Sequence, residues 1–136
     1  MQQINAASFT PFKKNQLVLV ISGIKHTITV ELAETNYQKA LGLMYRRSLG
    51  ENEGMLFTHK TPQELTMWMK NTYIPLDMVF IKPGGVVHRI EENTEPHSEA
   101  VIASQGDVIA VLELAGGVSR KLGLKKGDKV LHKLLQ

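Results

Sequence analysis

With 136 residues, 43% of them hydrophobic and 21% charged, the chain has the size and composition of one globular domain, which excludes wholesale disorder. It contains no cysteine, so disulfides, thiolate metal sites and a cysteine nucleophile are excluded, and no apolar run reaches the length of a membrane span. A net charge of +3 permits weak attraction to anions without requiring a nucleic-acid or membrane partner.

Residues 1–15 are polar, carry Pro11 and Lys13-Lys14, and show no periodicity, so they read as a flexible arm ahead of one domain at 16–136. The arm lacks the apolar core of a signal peptide, which predicts a cytoplasmic protein, or an exported one if an upstream signal was trimmed. Leu17 to Ile21 reads as a strand, Gly23 as a turn, and Thr27 to Leu32 alternates with Ile28, Val30 and Leu32 on one face. A helix follows: Thr35 and Gln38 form a capping box, and Tyr37, Ala40, Leu41 and Met44 recur at helical spacing. Arg46 and Arg47 fall in its expected last turn, and Gly42 inside it suggests a close approach of a strand or ligand.

Met55 to Phe57 and Leu65 to Met69 read as two short strands. Leu76 to Ile81 and Val86 to Ile90 are joined by Lys82-Pro83-Gly84-Gly85, the signature of a β-hairpin turn. After a polar loop, Val108 to Leu114 is a strand, Ser119 to Leu122 a helical turn stopped by Gly123, and Lys129 to Leu134 a last strand. Seven to eight short strands and two short helices, without a strand–helix repeat, predict a mainly β protein: a single-domain antiparallel sandwich or barrel.

The densest chemistry lies between Met67 and Asp77. Strand alternation puts Leu65, Met67 and Met69 on one face and Trp68, the only tryptophan, with Lys70 on the other. An exposed indole beside an ammonium suits stacking on a planar ligand while holding an anionic group; the competing reading has Trp68 covering the core edge. Asn71 and Asp77 bracket the stiff Ile74-Pro75 connection. Asp77 shares a face with Val79 and Ile81 and needs a partner, so it is either a turn-fixing residue or a general base. Arg46 could clamp a carboxylate or lie on a solvated helix end. Glu113, between Leu112 and Leu114, points away from the face those leucines bury, and either fixes the Gly116-Gly117 turn or lines a site.

His59, His88 and His97 match no metal-ligand spacing, and no Gly-x-Ser-x-Gly elbow is present, so neither a metal nor another cofactor is expected. Arg120, Lys121, Lys125, Lys126, Lys129 and Lys133 form a basic segment opposed by Asp128 alone. It lacks interleaved aromatics, so specific nucleic-acid binding is not expected.

At these residues the chain resembles the domain of unknown function 192 family. The resemblance is carried by Gly42-Leu43-Met44-Tyr45-Arg46-Arg47-Ser48-Leu49, Glu53-Gly54-Met55-Leu56-Phe57, Trp68-Met69-Lys70-Asn71-Thr72, Ile74-Pro75-Leu76-Asp77-Met78, Leu112-Glu113-Leu114-Ala115-Gly116-Gly117 and Leu122-Gly123-Leu124-Lys125-Lys126-Gly127-Asp128-Lys129-Val130. It implies a compact, mostly β, sandwich-like barrel of bacteria and archaea, often with an export signal, and it implies no activity.

The residues themselves predict a monomeric binding module for a polar or anionic small molecule, glycan or peptide, with Trp68, Lys70, Asn71, Asp77 and Arg46 lining the groove. The alternative is a hydrolase or lyase with Asp77 as base. A third reading is an interaction module that holds an acidic partner on the basic C-terminal segment.

Overall fold

The computed structural model describes residues 11–136, so most of the expected N-terminal arm lies outside the described residues. Seven strands form one closed barrel: β1 (Lys13–Ile21), β2 (Ile24–Ala33), β3 (Glu53–Met67), β4 (Leu76–Lys82), β5 (Val86–Glu91), β6 (Ile102–Ala115) and β7 (Lys129–Leu131). Two short helices, α1 (Asn36–Leu41) and α2 (Val118–Leu122), sit in its connections. Around the barrel the order is β1-β2-β3-β6-β4-β5-β7, and closure comes from β7 pairing with both β1 and β5.

The pairings are antiparallel except β2 with β3, which run parallel with Thr29 opposite Glu53 and Ala33 opposite Phe57. Parallel neighbours need a crossover rather than a hairpin, and α1 lies in that crossover. Thr35 caps it as expected, accepting from the Gln38 amide while the Gln38 side chain returns to the Thr35 backbone. The helix stops at Leu41, because Gly42 turns to a φ of 49° and its N–H bonds Gln38 O. The expected extension through Met44 to Arg46 and Arg47 is therefore corrected to an irregular turn. Gly42 has the anticipated close neighbour, since a Cβ there would lie 3.2 Å from the Phe57 ring.

The two short strands expected at Met55 to Phe57 and Leu65 to Met69 are one strand, β3. Register shifts against β6 between Thr58 and Gln63 and between Glu64 and Thr66 bend it and hide its continuity in the sequence. The hairpin at Lys82–Val86 forms where the Pro-Gly-Gly run predicted it, with Gly84 and Gly85 at φ values of 86° and 82°.

Two apolar layers result. One contains residues from every strand, among them Leu19, Val30, Leu56, Val79, Val87, Leu112 and Val130, and so fills the barrel interior. The other lies outside the wall of β3, β4 and β6, where Met55, Phe57, Met78, Phe80 and Val111 are covered by Leu43 and Met69 from the connections. Strand β4 is buried on both faces from Leu76 to Ile81, hence its unbroken apolar run apart from Asp77.

The two hairpin glycines separate backbone strain from crowding. A Cβ at Gly84 would meet nothing within 4 Å, whereas at Gly85 it would lie 2.1 Å from the Val130 carbonyl, on the β5–β7 closure. Gly84→Ala is expected to cost about 1–2 kcal/mol, the left-handed penalty alone. Gly85→Ala is expected to cost at least about 3 kcal/mol in urea unfolding, because the closing strand must also move.

Candidate functional site

The structure separates the five residues singled out between Arg46 and Asp77 into three environments. Trp68 lies just past the end of β3, 46% exposed, with the Lys70 ammonium 5.2 Å from its ring centroid. Beside them Asn71 takes a φ of 54°, donates from its side chain to the Tyr45 hydroxyl at 3.1 Å, and accepts the Tyr45 backbone N–H at 2.9 Å. Tyr45 itself has a φ of 67° and meets Tyr73 edge-on at 6.1 Å; Tyr73 in turn packs against His97 at 5.3 Å. Tyr45 and Tyr73 are exposed, and sequence reasoning did not mark them because isolated tyrosines carry no periodic signal.

Asp77 is in a different place. It is 0% exposed and sits on the interior face at the end of the barrel. Its Oδ1 accepts the Asn93 and Gly117 N–H groups at 2.9 and 3.1 Å, and its Oδ2 accepts the Ser119 N–H and hydroxyl at 2.9 and 2.6 Å. This is the turn-fixing arrangement: one carboxylate ties the start of β4 to the Asn93 loop and to α2. Neither oxygen faces a cleft.

Arg46 lies in a third place, a separate cleft of about 220 Å³ between β2 and the turn after α1. It donates two hydrogen bonds to Glu31 at 3.1 and 2.7 Å and lies over the Phe12 ring at 5.7 Å. Its guanidinium is already matched by a carboxylate, and the hydrogen bond to Glu31 raises its pKa further.

A cleft of about 120 Å³ opens between the end of α1 and Trp68. Its walls are Gly42, Leu43, Met44, Phe57, Met67, Trp68 and Thr72, with Lys39 at one side, and Glu113 lines it. The alternation along β6 explains the placement. Leu112 and Leu114 point into the barrel, and Glu113 points out into the second apolar layer, where its neighbours across the sheet are Met55 on β3 and Met78 on β4. Glu113 is 4% exposed, and no described residue donates a hydrogen bond to its carboxyl. Desolvation alone pushes that carboxyl up to about 8. Lys39 holds its Nζ 3.5 Å from His59 Nδ1; burial and then the nearby Lys60 lower the Lys39 pKa.

Among the described residues no group of three or more His, Asp or Glu could hold a metal ion. The basic segment is partly neutralised, with Arg120 on Glu92, Lys121 on Glu51 and Lys125 on Asp128. No described helix is long and apolar enough to cross a membrane.

The model of an uncharacterised family, domain of unknown function 192, matches residues 18–132. No curated protein matches. Among solved structures the chain is similar to a protein of Sinorhizobium meliloti 1021 described as a candidate transcription regulator, with a TM-score of 0.88 and 44% identity over 90% of this chain and 96% of that one. It is similar also to a protein of unknown function from Novosphingobium aromaticivorans DSM 12444, with a TM-score of 0.86 and 35% identity over 97% of this chain and 100% of that one.

Asp77→Asn is expected to destabilise the protein by about 3 kcal/mol, since an amide NH₂ would face donors where a carboxylate oxygen now accepts; urea unfolding measures it. For Glu113 the sign follows from linkage. The folded carboxyl holds its proton up to about 8 while the unfolded one releases it near 4.5, so the unfolded state binds fewer protons between those values. Stability contributed at Glu113 is therefore present at acid pH and lost as pH rises through that window. Urea unfolding across pH 4.5–8 is expected to lose this downward slope in Glu113→Gln, and an identical slope in both proteins would contradict it.

Proposed function

The chain belongs to the domain of unknown function 192 family, and we propose that it is a small-ligand binding protein whose site is the cleft between the end of α1 and Trp68. One observation carries the reading: Glu113, 4% exposed and with no donor among the described residues, lines a cleft whose other walls combine apolar side chains and an exposed indole with Lys39, Thr66 and Thr72. Ligand sites are typically concave and mostly apolar, with a few convergent polar groups. The volume suits a head group of a few heavy atoms, comparable to the roughly 150 Å³ that accommodates benzene in a dry engineered cavity. A longer glycan or peptide would run outward over the exposed Tyr45 and Tyr73, which directly follow Met44 and Thr72 of the cleft wall. In this reading Trp68 stacks on the ligand, Lys70 and Asn71 shape the rim, and Asp77 and Arg46 hold the scaffold.

A hydrolase or lyase with Asp77 as base has less support, because a general base must reach the proton it removes and this carboxylate is enclosed by its own donors. Transcription regulation, the role in the description of the Sinorhizobium meliloti relative, would need a presented basic element if it worked by direct contact with DNA. Here α2 spans five residues, too short to fill a major groove, and three of the six cations of the basic segment are paired with acids.

Trp68 emission is expected to be readily quenched by acrylamide and to shift on saturation with a fragment drawn from a panel of neutral, anionic and cationic compounds. Trp68→Ala is expected to weaken that binding by about 0.5–1.5 kcal/mol in calorimetry with the melting temperature unchanged, the worth of one aromatic contact beyond its area. Affinity indifferent to the substitution would move the site elsewhere.

A further inference from the structure

We propose that the Glu113 cleft binds the head group of a small organic cation, an alkylammonium, with Glu113 as its counter-ion and the Trp68 indole as a wall. The proposal rests on the binding reading given above and supplies the ligand class. Three features of the cleft carry it.

The first is the unmet carboxyl. Glu113 lies between Met55 and Met78 in the outer apolar layer, and no described residue donates to it. Its oxygens still open onto the cleft, where water or a ligand can meet them, and without such a partner the group is costly in either protonation state. An ammonium supplies both the donor and the compensating charge, whereas a carboxylate ligand would bring a second anion.

The second is the indole. The ring face of Trp68 already holds an ammonium, that of Lys70, at 5.2 Å. Its quadrupole is thus presented to cations at this edge of the protein. The flexible lysine stem leaves room for exchange with a ligand cation.

The third is the end of α1. The cleft is lined by Gly42, Leu43 and Met44, which follow the last helical residue, so its local dipoles present their negative end there. The charged groups near Glu113 are few. From α1 there is Lys39, whose amine is directed to His59 Nδ1, and above Trp68 there is Lys70. The facing residues of β3 and β4, Met55, Phe57 and Met78, carry no charge, and no ionised neighbour shifts the Glu113 carboxyl.

Binding is a proton exchange. At neutral pH the desolvated carboxyl holds its proton; when the ammonium enters, the carboxyl ionises, the proton leaves to solvent, and a neutral ion pair remains in the cleft. Charge balances, because one cation enters and one proton departs.

The test uses the full chain and three four-carbon probes that differ in charge: n-butylammonium, butyramide and butyrate. Trp68 fluorescence is expected to saturate with n-butylammonium. Calorimetry at pH 7 in two buffers of different ionisation enthalpy is expected to show release of close to one proton per amine bound. Affinity for the amine is expected to rise about tenfold per pH unit up to pH 8 and then level off, since the probe keeps its own charge throughout. In Glu113→Gln, which keeps the neutral shape and so the fold, proton release is expected to vanish and affinity at pH 8 to fall at least tenfold. Saturation by butyramide or butyrate but not by the amine would overturn the cation assignment while leaving the cleft a binding site. Amine binding without proton release, or unchanged in Glu113→Gln, would overturn the role of Glu113. No response to any of the three probes would overturn the cation assignment, and no response across the wider fragment panel would remove the binding reading beneath it.

Discussion

One carboxylate organises the end of the barrel on which the candidate site depends. Asp77 accepts hydrogen bonds from Asn93, Gly117 and Ser119, and through them fixes the chain on both sides of β6 and β4. The Gly116 N–H bonds the Pro75 carbonyl in the same knot, and a Cβ on Gly116 would meet the Asn93 side chain at 2.7 Å. This junction sets where β6 ends relative to β4. Since Asp77 pairs with Leu114 and Met78 with Glu113, the same register decides which face each residue of β6 presents. A slip of one residue would turn Glu113 into the barrel interior and Leu112 outward. The buried acid of the cleft is thus held in place by a second buried acid that is fully hydrogen-bonded.

The contrast between these two acids shows what burial means chemically. Both are almost wholly removed from water, at 0% and 4% exposure. Asp77 is surrounded by backbone and hydroxyl donors, which stabilise negative charge and leave nothing to offer a ligand. Glu113 faces methionine, phenylalanine and tryptophan side chains, which stabilise no negative charge, and although Lys39, Thr66 and Thr72 line the same cleft, no described residue donates to its carboxyl. A sequence-level argument that ranks acids by proximity to other polar residues selects Asp77, whose oxygens are already taken by their own donors, over Glu113, the acid that lines a cleft. Asp77 sits in the motif dense with polar groups because it is consuming them.

Much of the fold was legible because it follows from local rules. The capping box at Thr35 and Gln38, the Lys82–Gly85 turn, the alternation in β2 and β6 and the stop at Gly123 each express one short-range preference. What could not be read was set by long-range packing. β3 was divided in two because its bulges break the period-two pattern, and only pairing with β6 shows it is continuous. The helix was extended past Gly42 because Met44 kept the spacing, while a close contact with Phe57 favours the glycine turn there. The candidate site was half legible. Alternation placed Trp68 with Lys70 and turned Glu113 away from the leucines beside it. That the end of α1 folds over that outward face is a property of the parallel β2–β3 crossover, to which no residue near Glu113 testifies. Arg46 was drawn into the groove by sequence proximity, and its partner Glu31 is on the other strand of that crossover.

Local rules are broken twice around the cleft, and the coincidence bears on what the cleft is for. A glutamine or methionine at position 113 would fill the same space between Met55 and Met78 without a carboxyl whose ionised form the surroundings reject. A few residues away Tyr45, Asn71 and His97 hold positive φ angles of 67°, 54° and 67°, a conformation that costs non-glycine residues about 1–3 kcal/mol each. The strained residues lie outside the barrel strands, and Glu113, although on β6, faces away from the interior layer. Tyr45 and Tyr73 are exposed with their rings edge-on to each other, and two hydrogen bonds tie the strained Tyr45 to the strained Asn71, giving an aromatic edge of fixed shape. In the proposed reading, the acid adds to that edge a charge that ionisation switches on. Positive φ also occurs at Ser22, Asn93 and Gln105, so strain alone does not mark this edge; what singles it out is that Tyr45 and Asn71 directly adjoin Met44 and Thr72 of the cleft wall, which fits the binding reading proposed above.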